Sequence, residues 1–457
     1  MEYDFFDKNE EGKNIQRVPT PLPLVEQPPI KRKKKPSWGK IILGALLGVA
    51  CFGCGALSTW ASLDPEIRTL LKIKEKVQDK YYEEITDEQF YKAIFGGIND
   101  DLLDRYSEYM TPEEFAASLS DMDGKHIGIG LVFGSQAEDE LLITRVCGNS
   151  PAEAAGIRAG EKIVGLGVTE TQIIPCTTFE EFSKFIAGYG EQEVFYLQLQ
   201  SIGQTRVVKT YKAAYVEGYV FYRTATRSYC FTGDTAEEWT EKGAPLTCLD
   251  SQTAYIRLVQ FTGSASYEFD VAMERFKEDG MKNLVLDLRS NGGGYVDTMQ
   301  AIASYFCKNS KASQPVVAVA DYGNTRKTFK ANGNVYGDFF AEDSRIIVLA
   351  DRYSASASEC LIGCMLDYGA ITFADICLAE RDSVAKTYGK GIMQETFFIN
   401  LFKQDAITLT TAEIRWPVSD RSIHGRGILP EDGAKTIAEN YDYEIETVNA
   451  ITAMLGR

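Results

Sequence analysis

Residues 346–359 read IIVLADRYSASASE, an apolar run followed by alternating serine and alanine. An unbroken apolar run of this kind suits a strand buried on both faces. The small residues after it suit a turn into a helix that continues through Leu361, Ile362 and Met365. A strand–turn–helix exposes a hydroxyl at the turn. Of Ser354, Ser356 and Ser358, the middle one stands between Ala355 and Ala357, which leave space for a substrate backbone. The helix N-terminus behind it also favours developing negative charge. Taken alone, three serines competing for one N-cap is the plainer explanation.

Outward from this stretch, apolar strands alternate with helical segments. Strands are expected at 253–258, 284–288, 316–320 and 345–350, and helices at 267–278 and 298–306, which defines an α/β core over 214–435. Residues 286–294, LDLRSNGGG, read as a strand ending in a glycine run. Such a run serves either a sharp turn or the close approach of backbone N–H groups to an oxyanion. Residues 389–391 place Lys390 between two glycines, with Gln394 four positions on and Ile392 and Met393 as apolar flanks. A half-buried amine there would be neutral enough to accept a serine proton, with Gln394 orienting it; an exposed turn lysine is the alternative. The chain holds only two histidines, His126 and His424, and no G-x-S-x-G elbow, so a histidine-based triad has few ways to form.

The first 40 residues hold six of the fourteen prolines and nine Lys/Arg against six Asp/Glu, a composition that cannot build a core; they are expected to be a disordered cytoplasmic tail. The net charge of −17 therefore concentrates after residue 40, which argues against nucleic acid as a partner. Residues 41–63 carry no charge over 23 positions, roughly 34 Å as a helix, enough for a bilayer core. The basic cluster at 31–35 ahead of them predicts a single-pass cell-membrane anchor, N-terminus cytoplasmic and the rest extracellular; a cleaved signal peptide is the rival reading. Cys51 and Cys54 form a CxxC inside this run and are read as ordinary small side chains of a lipid-embedded segment, where a redox site would be stranded.

The other eight cysteines, irregularly spaced, fit no zinc pattern, so neither metal nor cofactor is expected. Cys230 and Cys248 flank a polar stretch and could pair, but spacing does not fix connectivity. A helical lead-in is expected over 64–120, from the spacing of Leu70, Ile73, Val77 and Tyr81 and then of Phe90, Ile94 and Ile98. Short β-rich runs follow over 121–213, and a helix-like stretch from Lys435 closes the chain, with 436–457 as a C-terminal helix able to pack on the core or in a homodimer. In the β-rich part, Gly128, Ile129, Gly130 and Leu131 form a glycine-containing loop running into a strand, suited to holding a chain-terminal carboxylate while a peptide adds as an extra strand.

These segments together resemble the C-terminal processing peptidases, or tail-specific proteases. LDRYSEYMTPEE at 103–114 resembles the family's lead-in, SPAEAAGIRAGEKIVGL at 150–166 its PDZ helix and turn, and GRGILP at 425–430 its closing motif. The resemblance covers most of 80–435. It implies a PDZ domain at 121–213, a mixed-sheet α/β serine protease core, and an endopeptidase acting through an acyl-enzyme on proteins or peptides with free C-termini. It assigns Ser356 as nucleophile, Lys390 as general base, Gln394 as the residue orienting the lysine, and the amides of Gly293 and Ala357 as the oxyanion hole.

The chain departs from the family in three places. Tyr388 stands where phenylalanine is usual and Gly292 where proline is common. Ser356 and Lys390 are also separated by more than the family's usual spacing of about 25, so 375–386 reads as an insertion able to gate the site. A peptide-binding scaffold with a disabled dyad is the competing class.

Overall fold

The computed structural model describes residues 62–456, apart from 123–124, 134–140, 202–203, 232–238, 242, 309, 311, 333–338, 401–404 and 441. The expected tail at 1–40 and all but the last two residues of the expected anchor at 41–63 lie outside these. Among the described residues no helix is long and apolar enough to cross a membrane. The chain divides into two units, residues 1–91 and 92–457. In the first, α1 (Pro65–Lys80) starts at Asp64, whose carboxylate accepts from the Glu66 amide, with Pro65 at the position where no N–H is needed. Lys74 of α1 pairs with Asp87, 2.9 Å away, at the start of α2 (Asp87–Gly97), which runs on into the second unit.

The second unit opens with β1 (Glu108–Met110) and α3 (Pro112–Met122). A β-rich lobe follows: β2 (Lys125–Gly128), β3 (Leu131–Phe133), β4 (Ile143–Val146), α4 (Pro151–Ala154), β5 (Lys162–Thr169), β6 (Gln172–Pro175), α5 (Phe179–Ala187), β7 (Val194–Ser201), β8 (Gln204–Tyr211) and β9 (Ala213–Val216). Strands β6-β5-β7-β8 form one antiparallel sheet, β3 pairs with β4, and β2 with β9. Alternation along β7 sends Phe195, Leu197 and Leu199 into a core shared with Ile143, Ile163 and Phe182 of α5. A capping box between Thr178 and Glu181 starts α5.

The larger lobe contains β10 (Val220–Arg223), β11 (Ser228–Phe231), β12 (Trp239–Glu241), β13 (Thr253–Leu258), α6 (Ala265–Glu278), β14 (Asn283–Asp287), α7 (Val296–Ala303), β15 (Val316–Asp321), β16 (Arg326–Lys330), β17 (Ile346–Asp351), α8 (Ala357–Asp367), β18 (Ile376–Ala379), β19 (Ile392–Asn400), β20 (Asp405–Arg415), β21 (Lys435–Ile437) and α9 (Tyr443–Leu455). Eight strands make one mixed sheet in the order β12-β11-β10-β13-β14-β17-β18-β21, antiparallel up to β13 and parallel from there on. A second antiparallel sheet runs β1-β20-β15-β16, with β19 on β20.

The period of two explains how β14 and β17 are buried on both faces. Leu284, Leu286, Val348 and Ala350 pack with α6, α7 and α8, while Val285, Ile347 and Leu349 face Ala450, Ile451 and Met454 of α9. Burying side chains such as Ile451 and Met454 is worth roughly 1.5–3 kcal/mol each. The carboxyl ends of β14 and β17 carry the glycine run and the serine turn, the edge where open α/β sheets place their ligands.

Two expectations are corrected. The stretch from Lys435 does not begin as helix: Lys435–Ile437 is a strand completing the parallel edge beside β18, and helix starts only at Tyr443. Within 375–386, residues 376–379 are not a gate but the fully buried β18, hydrogen-bonded between β17 and β21. After it, Arg381 is tied to Asp351 and Glu446.

Candidate active site

Each serine of the motif has a separate fate. Ser354 Oγ donates to the Leu288 carbonyl at 2.7 Å and accepts from the Asp351 amide at 2.9 Å. Ser358 Oγ donates to the Asn291 carbonyl at 2.9 Å. Both are fully buried and pin the start of α8 against the end of β14. Among the described residues no hydrogen bond engages the Ser356 hydroxyl. Ser356 caps α8 at φ 55 and ψ −114, a conformation that costs a non-glycine residue about 1–3 kcal/mol and that elsewhere gathers at functional sites. Gly293 lies against it. A Cβ added there would meet Ser356 Cβ at 2.8 Å and the Ala357 nitrogen at 2.9 Å, so only glycine lets the two turns touch.

The lysine segment is fastened to this turn by Glu359, a buried carboxylate in the first turn of α8. Its Oε2 accepts from the backbone amides of both Ser356 (3.1 Å) and Lys390 (2.9 Å); its Oε1 accepts from the Gly389 amide (2.8 Å) and the Thr387 hydroxyl (2.6 Å). The Tyr388 amide adds a bond to the Ser354 carbonyl. Burial pushes the Glu359 pKa up, and these four donors oppose the rise. Glycine on either side of Lys390 has a steric cause. A Cβ at 389 would meet the Gly427 nitrogen at 2.9 Å, and one at 391 the His424 nitrogen at 2.7 Å, so the 423–428 segment packs directly on the lysine loop.

Lys390 is partly buried, with Nζ 4.7 Å from the centre of the Tyr106 ring. Burial lowers its pKa below the usual lysine value, Asp104 works against that shift, and Arg105 adds to it. Tyr106 is held by its hydroxyl, 3.2 Å from that of Tyr388 and 2.6 Å from an Arg105 nitrogen. Residues 103–114, read only as a lead-in, thus supply the wall of the lysine site.

The remaining candidates are placed less simply. Gln394, on β19, donates through Nε2 to the Thr410 hydroxyl at 3.2 Å, which leaves its Oε1 as the atom able to accept from an amine. The Gly293 amide, one of the two expected oxyanion donors, donates to Asn291 Oδ1 at 3.0 Å, whereas no hydrogen bond of the Ala357 amide is found among the described residues. No hydrogen bond joins Ser356 to Lys390 among the described residues.

Sequence reading passed over Glu359, Tyr106 and Asn291. Only Glu359 had a local signal, an acid three residues after an N-cap serine.

In the β-rich lobe the carbonyls of Ile129 and Gly130 accept from the amides of Ala152 and Cys147, which fixes the loop at 128–131. Gly130 at φ +87 has no room for a side chain because Ser150 occupies it. Strand β3 pairs with β4 along one edge, and Phe133 meets Phe179 and Phe182 of α5 at 5.7 and 5.2 Å. Phe179 is exposed beside them.

The serine at the strand–helix turn and the partly buried lysine are thus joined through their backbone amides by one carboxylate, Glu359. Residues 252–432 match the model of peptidase family S41. Over 352 residues it is 28% identical to a protein of Staphylococcus aureus (strain MRSA252) named "Probable CtpA-like serine protease", covering 77% of this chain and 61% of that one. A protein of the same name from Staphylococcus saprophyticus is 26% identical over 84% of this chain and 69% of its own length. The chain thus spans about three-fifths of the length of the S. aureus relative. Among solved structures it is similar to a photosystem II D1 C-terminal processing protease, with a TM-score of 0.47, 20% identity, and 79% of this chain and 85% of that one covered.

Proposed function

We propose that this chain is a membrane-anchored serine endopeptidase that cuts proteins at or near their C-termini, with Ser356 as nucleophile and Lys390 as general base. The observation that carries this reading is the shared acceptor Glu359 Oε2, which binds the amides of both residues beside a lysine whose pKa burial lowers. In the proposed reaction the neutral Lys390 amine takes the Ser356 proton as Oγ bonds to the scissile carbonyl carbon. The oxyanion forms against the Ala357 amide at the start of α8. Collapse breaks the C–N bond, the lysine ammonium protonates the leaving amine, and water, deprotonated by the same lysine, releases the acyl group. Gln394 Oε1 would orient the amine.

The β-rich lobe is proposed as a PDZ domain. The edge of β3 away from β4, with the Phe133, Phe179 and Phe182 cluster beside it, supports addition of a peptide strand with its last side chain on the aromatic rings, its carboxylate at 128–131. The uncharged run at 41–63 behind a basic cluster supports an anchor with the peptidase outside the cell.

The test is fluorophosphonate labelling of the full chain together with cleavage of peptides ending in a free carboxylate. Wild type should label at Ser356. Ser356→Ala should lose labelling and cleavage, and Lys390→Ala should lose at least about a hundredfold of both while remaining folded. Cleavage at the wild-type rate by either variant would refute the assignment.

A further inference from the structure

Between the β-rich lobe and the core lies a cavity of about 770 Å³, apart from the serine turn and from the proposed peptide groove. Its floor holds Arg257 of β13 and Tyr443 at the start of α9. The Tyr443 ring is flanked by two guanidinium groups, each 4.2 Å from its centre, Arg257 and Arg289. The two differ in what they bind. Every nitrogen of Arg289 is engaged, donating to Asp287, Glu446 and the Thr447 hydroxyl. No hydrogen bond or ion pair among the described residues reaches the guanidinium of Arg257, and its Nε is a buried donor without an acceptor. Asp287 cannot serve it further. Burial works against its ionisation, yet Arg289 beside it holds the carboxyl down to about 2, and its oxygens already accept from Arg289, Tyr255 and Tyr443.

The acids around the cavity are likewise committed. Glu161 pairs with Arg206 at 2.8 Å, Glu444 with Arg223 at 2.8 Å, and Asp442 accepts from the amides that begin α9. Arg158, on the lobe opposite, lines the same cavity and has no carboxylate within ion-pair distance among the described residues. A guanidinium presents five donors in a fixed fork, and leaving them unmet in a desolvated floor is costly.

We propose that this cavity binds a small multivalent anion, a carboxylate or phosphate compound, gripped by Arg257 from the core and Arg158 from the β-rich lobe. Stacking on Tyr443 fixes the plane of the Arg257 fork, which suits two oxygens of one ligand group. A ligand held from both sides would favour the arrangement of lobes that brings the two arginines together. The site does not depend on the peptidase reading.

The test is isothermal titration of the full chain with inorganic phosphate and, separately, with citrate, at constant ionic strength set by chloride. Saturable binding of one anion per chain is expected for at least one of them. Binding of phosphate alone identifies a phosphate compound, and binding of citrate alone a carboxylate. Arg257→Gln should weaken it by about tenfold or more, the loss of a charged hydrogen-bond pair. Arg158→Gln, on an exposed loop, should weaken it several-fold and decides the matter if the Arg257 variant does not fold. Absence of saturable binding by both anions, or unchanged affinity in the folded variants, overturns the proposal.

Discussion

At the scale of single residues, the proposed reaction turns on the charge of Lys390. Its pKa is lowered by burial, raised by Asp104 and lowered by Arg105. Only the neutral amine can take a proton, so activity should climb with pH through that lowered pKa. Arg105→Gln removes a cation that disfavours the ammonium, so the rising limb of the labelling rate should move to higher pH. Asp104→Asn removes an anion that favours the ammonium and should move it to lower pH. Identical limbs in wild type and both variants would mean that another group titrates. The same shift touches stability. The folded state holds fewer protons at Lys390 than the unfolded chain between the lowered pKa and the usual lysine value of 10.5, so this residue's contribution to stability rises with pH across that window. Ser356 and Lys390 could be picked out from sequence because each sits in a short motif of small residues whose steric need is local. Arg105 and Tyr106 could not, because what they touch lies far along the chain at 388–390.

At the scale of elements, Glu359 joins α8 to the lysine loop. Its four donors come from Ser356, Thr387, Gly389 and Lys390, so one side chain sets the distance between two segments about thirty residues apart. Glu359→Ala leaves those donors unmet in a buried site and should destabilise the fold by about 3–5 kcal/mol, read as a lower denaturant midpoint. Glu359→Gln keeps the shape but presents an amide NH₂ where only acceptors are wanted. It should stay folded and slow labelling of Ser356 by at least about tenfold, since small misplacements of a reacting pair are costly. A Gln variant labelled at the wild-type rate would show that the clasp does not set the pair. The acid three residues into the helix was visible in the sequence; that its partners lay across the loop was not. Strands such as Thr253–Leu258 and the run ending at Asp351 were legible because each has six residues, most of them apolar. Ile376–Ala379 is equally buried, but its four residues show no alternation and adjoin charged Glu380, Arg381 and Asp382, so nothing local opposed reading the wide spacing of Ser356 and Lys390 as an insertion there. Lys435–Ile437 is shorter still; three residues carry no period, and the helical pattern that follows was extended back over them.

At the scale of the second unit, its last helix is part of the core and not an appendage. Along α9, Ala450, Ile451 and Met454 cover the face of the parallel sheet opposite α8, so this stripe of the helix is used within the chain, while Ile445 and Val448 stay exposed. The polar side of the joint is a buried network. Glu446 accepts from Arg289 at 2.7 Å and from Arg381 at 2.6 and 2.8 Å, and Arg289 also holds Asp287 at the end of β14. One helix thereby fixes the strand that leads into the glycine run and the turn that follows β18. Removing one partner from such a network leaves a buried guanidinium uncompensated, which costs more than the intact pair contributes. Glu446→Ala should therefore lower stability by about 3–5 kcal/mol, a fall in Tm of roughly 5 °C for a unit of this size. Glu446→Gln, which can still accept from one arginine, should lose less. Because α9 docks within its own chain, the alanine variant should elute from size exclusion at the same volume as wild type at low temperature. A variant that keeps its Tm, or one whose loss of stability tracks dissociation of a larger species, would place the helix outside the core and return it to an interface between chains.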